Sequence, residues 1–138
     1  MTPGDRTCRV LLVDDEVDFV ETVAKRLRLR GLEVEGVHDG DAALESLSAN
    51  PPDVVVLDVR MPGLSGVDAL RAIKAAEPLV EVIMLTGHAS VDVAIEGMEL
   101  GAFDYLMKPA GLDELLYKIQ DAFKNKALQE AKIKALEG

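Results

Sequence analysis

Hydrophobic and polar positions alternate between two regimes along this chain: short apolar runs and stretches with helical spacing. The first run, Arg-Val-Leu-Leu-Val at 9–13, has strand length and stops at Asp14-Asp15-Glu16. Val20, Val23, Ala24 and Leu27 then recur at i, i+3, i+4 and i+7, which predicts a helix that Gly31 would end. Alternation at 32–35 predicts a second strand with one exposed face, and 41–47 a short helix closed by Asn50-Pro51-Pro52. Val54-Val55-Val56-Leu57 is a wholly apolar strand ending at Asp58. A Met-Pro-Gly loop follows, then a predicted helix over 67–76. Val82-Ile83-Met84-Leu85 is the next apolar strand, ending at Thr86-Gly87. Val91, Ala94, Ile95 and Met98 restore the helical period up to Gly101. A mixed strand is expected over 102–107, ending at Lys108-Pro109. Leu112, Leu115, Leu116 and Ile119 open a last helix that is expected to run past Phe123.

Five strand–helix units in strict alternation predict an α/β fold, a doubly wound parallel sheet with helices on both faces. Uniformly apolar strands are buried on both faces, so the first, third and fourth belong in the middle. The second and fifth carry charge and belong at the edges. The order 2-1-3-4-5 satisfies this and is a common doubly wound arrangement.

Composition narrows the function. The 138 residues carry Lys+Arg 15 against Asp+Glu 25, a formal net charge of -10 at pH 7. Such an excess of acid excludes direct nucleic-acid binding through phosphate contacts, which need a basic face. No apolar run approaches the roughly 20 residues of a membrane span, and the polar start does not read as a signal peptide. The single Cys8 excludes an internal disulfide framework and suits a reducing, cytoplasmic setting.

Each chemically notable polar residue falls at the carboxyl end of a predicted strand, where ligands bind in parallel sheets. Asp14 and Asp15 follow the first strand, Asp58 the third, Thr86 the fourth and Lys108 the fifth. Three carboxylates and one ammonium leave an excess of two negative charges, which calls for a cation. Without a Cys/His cluster, oxygen ligands favour Mg²⁺ (or Mn²⁺) over zinc. A carboxylate, a hydroxyl, a lysine and a divalent cation around one point suit phosphoryl transfer through an aspartyl phosphate. Singly, Asp14-Asp15 also reads as a helix N-cap pair, Asp58 as a turn former, Thr86 as a cap and Tyr105 as edge-strand packing.

The motifs Val-Leu-Leu-Val-Asp-Asp-Glu (10–16), Leu57-Asp58-Val59-Arg60-Met61-Pro62-Gly63, Thr86-Gly87 and Gly101-Ala102-Phe103-Asp104-Tyr105-Leu106-Met107-Lys108-Pro109 carry a resemblance. Over about 9–123 the chain resembles the CheY-like receiver domain of bacterial two-component response regulators. That resemblance implies a signalling switch rather than a turnover enzyme, one that assists its own phosphorylation and dephosphorylation. Asp58 would accept a phosphoryl group from a sensor histidine kinase or phosphotransfer protein. Asp15, Asp58 and the backbone carbonyl of Arg60 would ligate Mg²⁺, with Asp14 acting largely through water. Lys108 would pair with a phosphoryl oxygen and Thr86 would move to bond another. Tyr105 would swing inward behind Thr86. The Lys108–Pro109 peptide would be cis, and the side chains of Arg60 and His88 would tune the phosphate's lifetime by limiting water access. Activation would alter the face of the fourth helix, fifth strand and fifth helix, and homodimerisation on phosphorylation is one readout. The receiver would occupy 1–124, with 125–138 a helical extension or linker stub.

Two rivals share parts of this pattern. A haloacid-dehalogenase-type phosphatase uses the same residue types but places its nucleophile, and a second Asp two residues on, after the first strand. Here that strand is followed by adjacent Asp14-Asp15. A receiver-like interaction domain that works without phosphate would not need the full residue set. Neither a Gly-x-x-x-x-Gly-Lys loop nor a Gly-x-Gly-x-x-Gly turn is present, which argues against a nucleotide-binding module.

Overall fold

The three wholly apolar runs form the middle of a five-stranded parallel sheet ordered β2-β1-β3-β4-β5. A computed structural model describes residues 6–60, 64–87 and 91–137. The elements are β1 (Arg9–Val13), α1 (Val17–Leu29), β2 (Glu33–Val37), α2 (Gly40–Ala49), β3 (Val54–Asp58), α3 (Gly66–Ala76), β4 (Glu81–Thr86), α4 (Val91–Glu99), β5 (Asp104–Met107) and α5 (Leu112–Glu137). Every residue of β3 and β4 is buried, as a strand covered on both faces requires.

Alternate side chains of each central strand enter two separate cores. Val10 and Leu12, Val54 and Val56, and Ile83 and Leu85 pack with Val20, Ala24 and Leu27 of α1 and Leu115, Ile119 and Ala122 of α5. Their neighbours Leu11 and Val13, Val55 and Leu57, and Val82 and Met84 pack with Ala43 and Leu47 of α2 and Ala69, Leu70 and Ile73 of α3. The buried faces of α1 and α5 therefore fix one side of the sheet, and those of α2 and α3 the other.

Departures from the expected boundaries have local causes. β2 runs on through Gly36 to Val37 because a bare backbone is what fits there: a Cβ on Gly36 would lie 2.4 Å from Val20 Cγ1. α2 starts at Gly40, since Asp39 caps it by accepting the Ala42 N–H at 2.7 Å. β5 begins at Asp104 rather than 102. The Ala102 N–H is already spent on the Gly97 carbonyl, closing α4 around Gly101 at φ 101°, a left-handed position that favours glycine.

α5 is one unbroken helix to Glu137, and its later turns are attached to the domain. Ala127 is buried, Lys126 Nζ pairs with Asp53 at 3.1 Å, and Asn125 donates to Glu81 at 2.6 Å. Arg6 bridges Asp53 at 2.6 Å and Glu130 at 3.2 Å. Cys8 is buried beside this cluster, and burial pushes its thiol up to about 12, which makes it unreactive. Among the described residues no helix is long and apolar enough to cross a membrane.

Candidate functional site at the carboxyl edge of the sheet

Parallel register brings the ends of β1, β3, β4 and β5 to one edge. Val13 pairs with Leu57, Asp58 with Leu85, and Thr86 with Met107. Asp14 and Asp58 follow the first of these pairs, Thr86 follows Leu85 and Lys108 follows Met107, so all four stand at that edge. Asp14, Asp15 and Asp58 each offer a carboxylate oxygen within 4.8 Å of the others'. Asp14 is fully buried and Asp58 nearly so, whereas Asp15 faces solvent.

Asp14 is held from several sides. Its Oδ1 accepts the Glu16 N–H at 2.9 Å, its Oδ2 accepts from Lys108 Nζ at 2.5 Å, and its carbonyl accepts from His38 Nδ1 at 3.1 Å. The N-cap reading thus holds in part: Asp14 tethers the N–H of Glu16, while Glu16 is the cap residue and gives no side-chain cap of its own. Asp58 Oδ1 accepts the Arg60 N–H at 3.2 Å. Gly66 lies against this turn, since a Cβ there would fall 2.4 Å from the Val59 Cα.

Lys108 supplies the counter-charge. Its ammonium lies 3.3 Å from Glu16 Oε1 and 3.9 Å from Asp58 Oδ2, besides the Asp14 contact. Burial opposes its charge, but the Asp14 hydrogen bond and the charges of Asp14 and Asp58 outweigh that and hold its pKa above the ordinary lysine value. The Lys108 N–H donates to the Thr86 carbonyl at 2.7 Å, and the Lys108–Pro109 peptide is cis.

One ammonium does not balance this site. Burial first, then the Asp14 and Asp15 charges, raise the Asp58 carboxyl to about 6, despite the opposing Arg60 N–H and Lys108. Hard oxygen donors with surplus negative charge and one exposed member suit a Mg²⁺ ion that keeps some of its waters. The donor set therefore fits the expected cation.

Thr86 is buried at the end of β4. Tyr105 is 42% exposed on edge strand β5, and the Arg60 side chain is exposed. His88 lies outside the described residues. Three site neighbours escaped the pattern reading. Glu16 and Phe19 both contact Lys108, the latter with its ring centroid 4.6 Å from Nζ, and His38 touches Asp14. The Asp-Asp-Glu run hinted at Glu16; nothing in the local pattern marked Phe19 or His38.

A family profile described as response regulator receiver domain matches residues 10–120. The chain belongs to the response regulator receiver family. Among its relatives is the transcriptional regulatory protein PrrA of Mycobacterium tuberculosis, 42% identical over 120 residues, 87% of this chain and 52% of that protein. The regulatory protein AtoC of Escherichia coli is 36% identical over 122 residues, 88% of this chain and 26% of that protein. The receiver thus spans about half the length of PrrA and a quarter of AtoC. A receiver domain from Clostridium thermocellum superposes with TM-score 0.84 at 38% identity, covering 88% of this chain and 98% of that one. NtrX from Brucella abortus in complex with ADP gives TM-score 0.88 at 32% identity, covering 95% of this chain and 30% of that one. This receiver is accordingly a signalling switch of the phosphorylation-activated class, and its Asp14, Asp15 and Asp58 cluster could hold a cation.

Proposed function

We propose that Asp58 is the phospho-acceptor, charged by a sensor histidine kinase or a phosphotransfer protein. The observation that carries this reading is the meeting of three carboxylates within 4.8 Å of one another, with the Lys108 ammonium 3.9 Å from the Asp58 carboxylate. An Asp58 oxygen attacks the phosphorus of the donor's phosphohistidine, and the P–N bond breaks as the O–P bond forms. With its carboxyl near 6, Asp58 is mostly ionised at neutral pH and needs no general base.

Asp15, Asp58 and the Arg60 carbonyl would hold Mg²⁺ (or Mn²⁺), with Asp14 reaching it through water. When bound, that cation neutralises charge on the phosphoryl oxygens. Lys108 pairs with one of those oxygens, and Thr86 turns toward another. Tyr105 then moves inward, and the change passes to the face made by α4, β5 and α5. Ile95, Met98, Tyr105, Met107 and Tyr117 of these elements are 42–68% exposed, which supports use of this face by a partner or a second copy. Residues 1–124 would form the receiver and 125–138 a helical extension toward an output domain. Similarity to the transcriptional regulatory protein PrrA supports a role in transcription regulation, which the receiver would carry out in the cytoplasm. Arg60 and His88 would limit water's access to the acyl phosphate.

Incubation with acetyl phosphate and Mg²⁺, followed by ³¹P NMR, separates the readings. One stable acyl phosphate per chain, with no turnover of a generic phosphomonoester, is expected. Steady phosphomonoester hydrolysis would instead favour a phosphatase, and no acyl phosphate at any Mg²⁺ concentration would favour a phosphate-independent interaction domain.

A further inference from the structure

We propose that Phe19 is a positioning residue for Lys108, holding the ammonium in the phosphoryl site through the face of its ring; this rests on the phospho-acceptor reading of Asp58. The ring centroid lies 4.6 Å from Lys108 Nζ, within the range of a cation–π contact. Phe19 sits in the first turn of α1, half-buried and packed on the core shared by α1 and α5, so the fold fixes the ring. The Lys108 side chain is 16% exposed, which leaves the attraction only weakly screened by water.

The donor geometry gives the ring its use. An ammonium has three N–H groups. Asp14 takes one at 2.5 Å and Glu16 another at 3.3 Å, while Asp58 at 3.9 Å is beyond hydrogen-bond reach. A third carboxylate in the place of Phe19 would engage the remaining N–H. An aromatic face attracts the cation without accepting a conventional hydrogen bond. One N–H therefore stays ready for an oxygen that arrives on Asp58. The ring also restrains a flexible four-carbon stem, which then loses less conformational freedom when the phosphoryl group is bound. Without it, the exposed Glu16 carboxylate competes for the ammonium from the solvent side.

The test compares the wild type with Phe19→Leu, Phe19→Tyr and a chain carrying trifluorophenylalanine at 19. Leucine keeps apolar packing without a π face, tyrosine keeps the face, and fluorination weakens the ring's attraction with little change of shape. Two quantities are read: affinity for beryllofluoride with Mg²⁺, and the NMR order parameter of the Lys108 ε-methylene in metal-free protein. Phe19→Leu is expected to weaken beryllofluoride binding about 3- to 10-fold and to lower the Lys108 order parameter. The tyrosine variant should track the wild type, and the fluorinated chain should follow leucine in direction. Wild-type affinity and wild-type Lys108 order in both the leucine and the fluorinated chains would overturn the proposal, as would failure of tyrosine to keep what leucine loses. If Phe19→Leu does not fold, the fluorinated chain decides alone. Absence of beryllofluoride binding in the wild type, or its survival in Asp58→Asn, would instead reject the phospho-acceptor reading. The metal-free Lys108 order parameter then still decides the part played by Phe19.

Discussion

Replacing Asp58 by Asn should make the metal-free protein more stable above neutral pH, by about 2–3 kcal/mol, because it removes a buried charge the fold disfavours. The folded carboxyl is raised from 3.8 to about 6, chiefly by burial. A carboxyl raised on folding contributes most below its unfolded pKa, where both states are protonated. That contribution is lost as pH climbs from about 4 through about 6. Asparagine does not titrate, so its advantage over the wild type is small near pH 4, grows across this window and is constant above it. Urea midpoints of the two chains at several pH values check this. Mg²⁺ should narrow the gap by stabilising the wild type above the variant, since ligand binding to the folded state adds stability by mass action. An equal response of both chains to Mg²⁺ would show that Asp58 is no ligand.

The second large effect lies at the opposite edge of the sheet. Asp53 is 3% exposed and accepts from Arg6, Lys126 and the Arg9 N–H at 2.6, 3.1 and 2.9 Å. Burial alone would raise its carboxyl, but the hydrogen bonds from Arg6, Arg9 and Lys126 outweigh it and hold the pKa below the usual value. Asp53→Ala leaves the Arg9 N–H without its acceptor and Arg6 and Lys126 with Glu130 as their shared carboxylate, and should cost about 3 kcal/mol. Asn, which keeps one acceptor oxygen, should cost less. Because the folded pKa is depressed, the contribution of Asp53 is present above about pH 4 and lost as pH falls below it. Hydrogen exchange should report the damage first at 125–130 of α5, where Asn125, Lys126 and Glu130 join this cluster. Unchanged protection there would mean that the later turns of α5 are held by other contacts.

Much of the fold could be read from the chain because β1, β3 and β4 are covered on both faces, so burial leaves continuous apolar runs. The ends of those runs also mark Asp14, Asp58 and Thr86 at the carboxyl edge of the sheet. What the pattern could not show is where a backbone group has already been used. The Ala102 N–H closes α4, so β5 starts two residues late. Gly36 continues β2 because α1 brings Val20 close, a tertiary fact with no local signal. The same limit applies around the site. Glu16 and Phe19 meet Lys108 across most of the chain's length, and Asp53 after Pro-Pro looks like an ordinary turn residue until Arg6 and Lys126 surround it. Pairings of that kind follow from sheet order and helix packing together, not from spacing.

Peptide mapping after phosphorylation by acetyl phosphate and Mg²⁺ tests the assignment of Asp58 most directly. A single added phosphoryl group is expected on the peptide containing Asp58, labile to hydroxylamine and absent from Asp58→Asn. A phosphoryl group on Asp14, Asp15 or a histidine, or undiminished labelling of the Asp58→Asn chain, would contradict it.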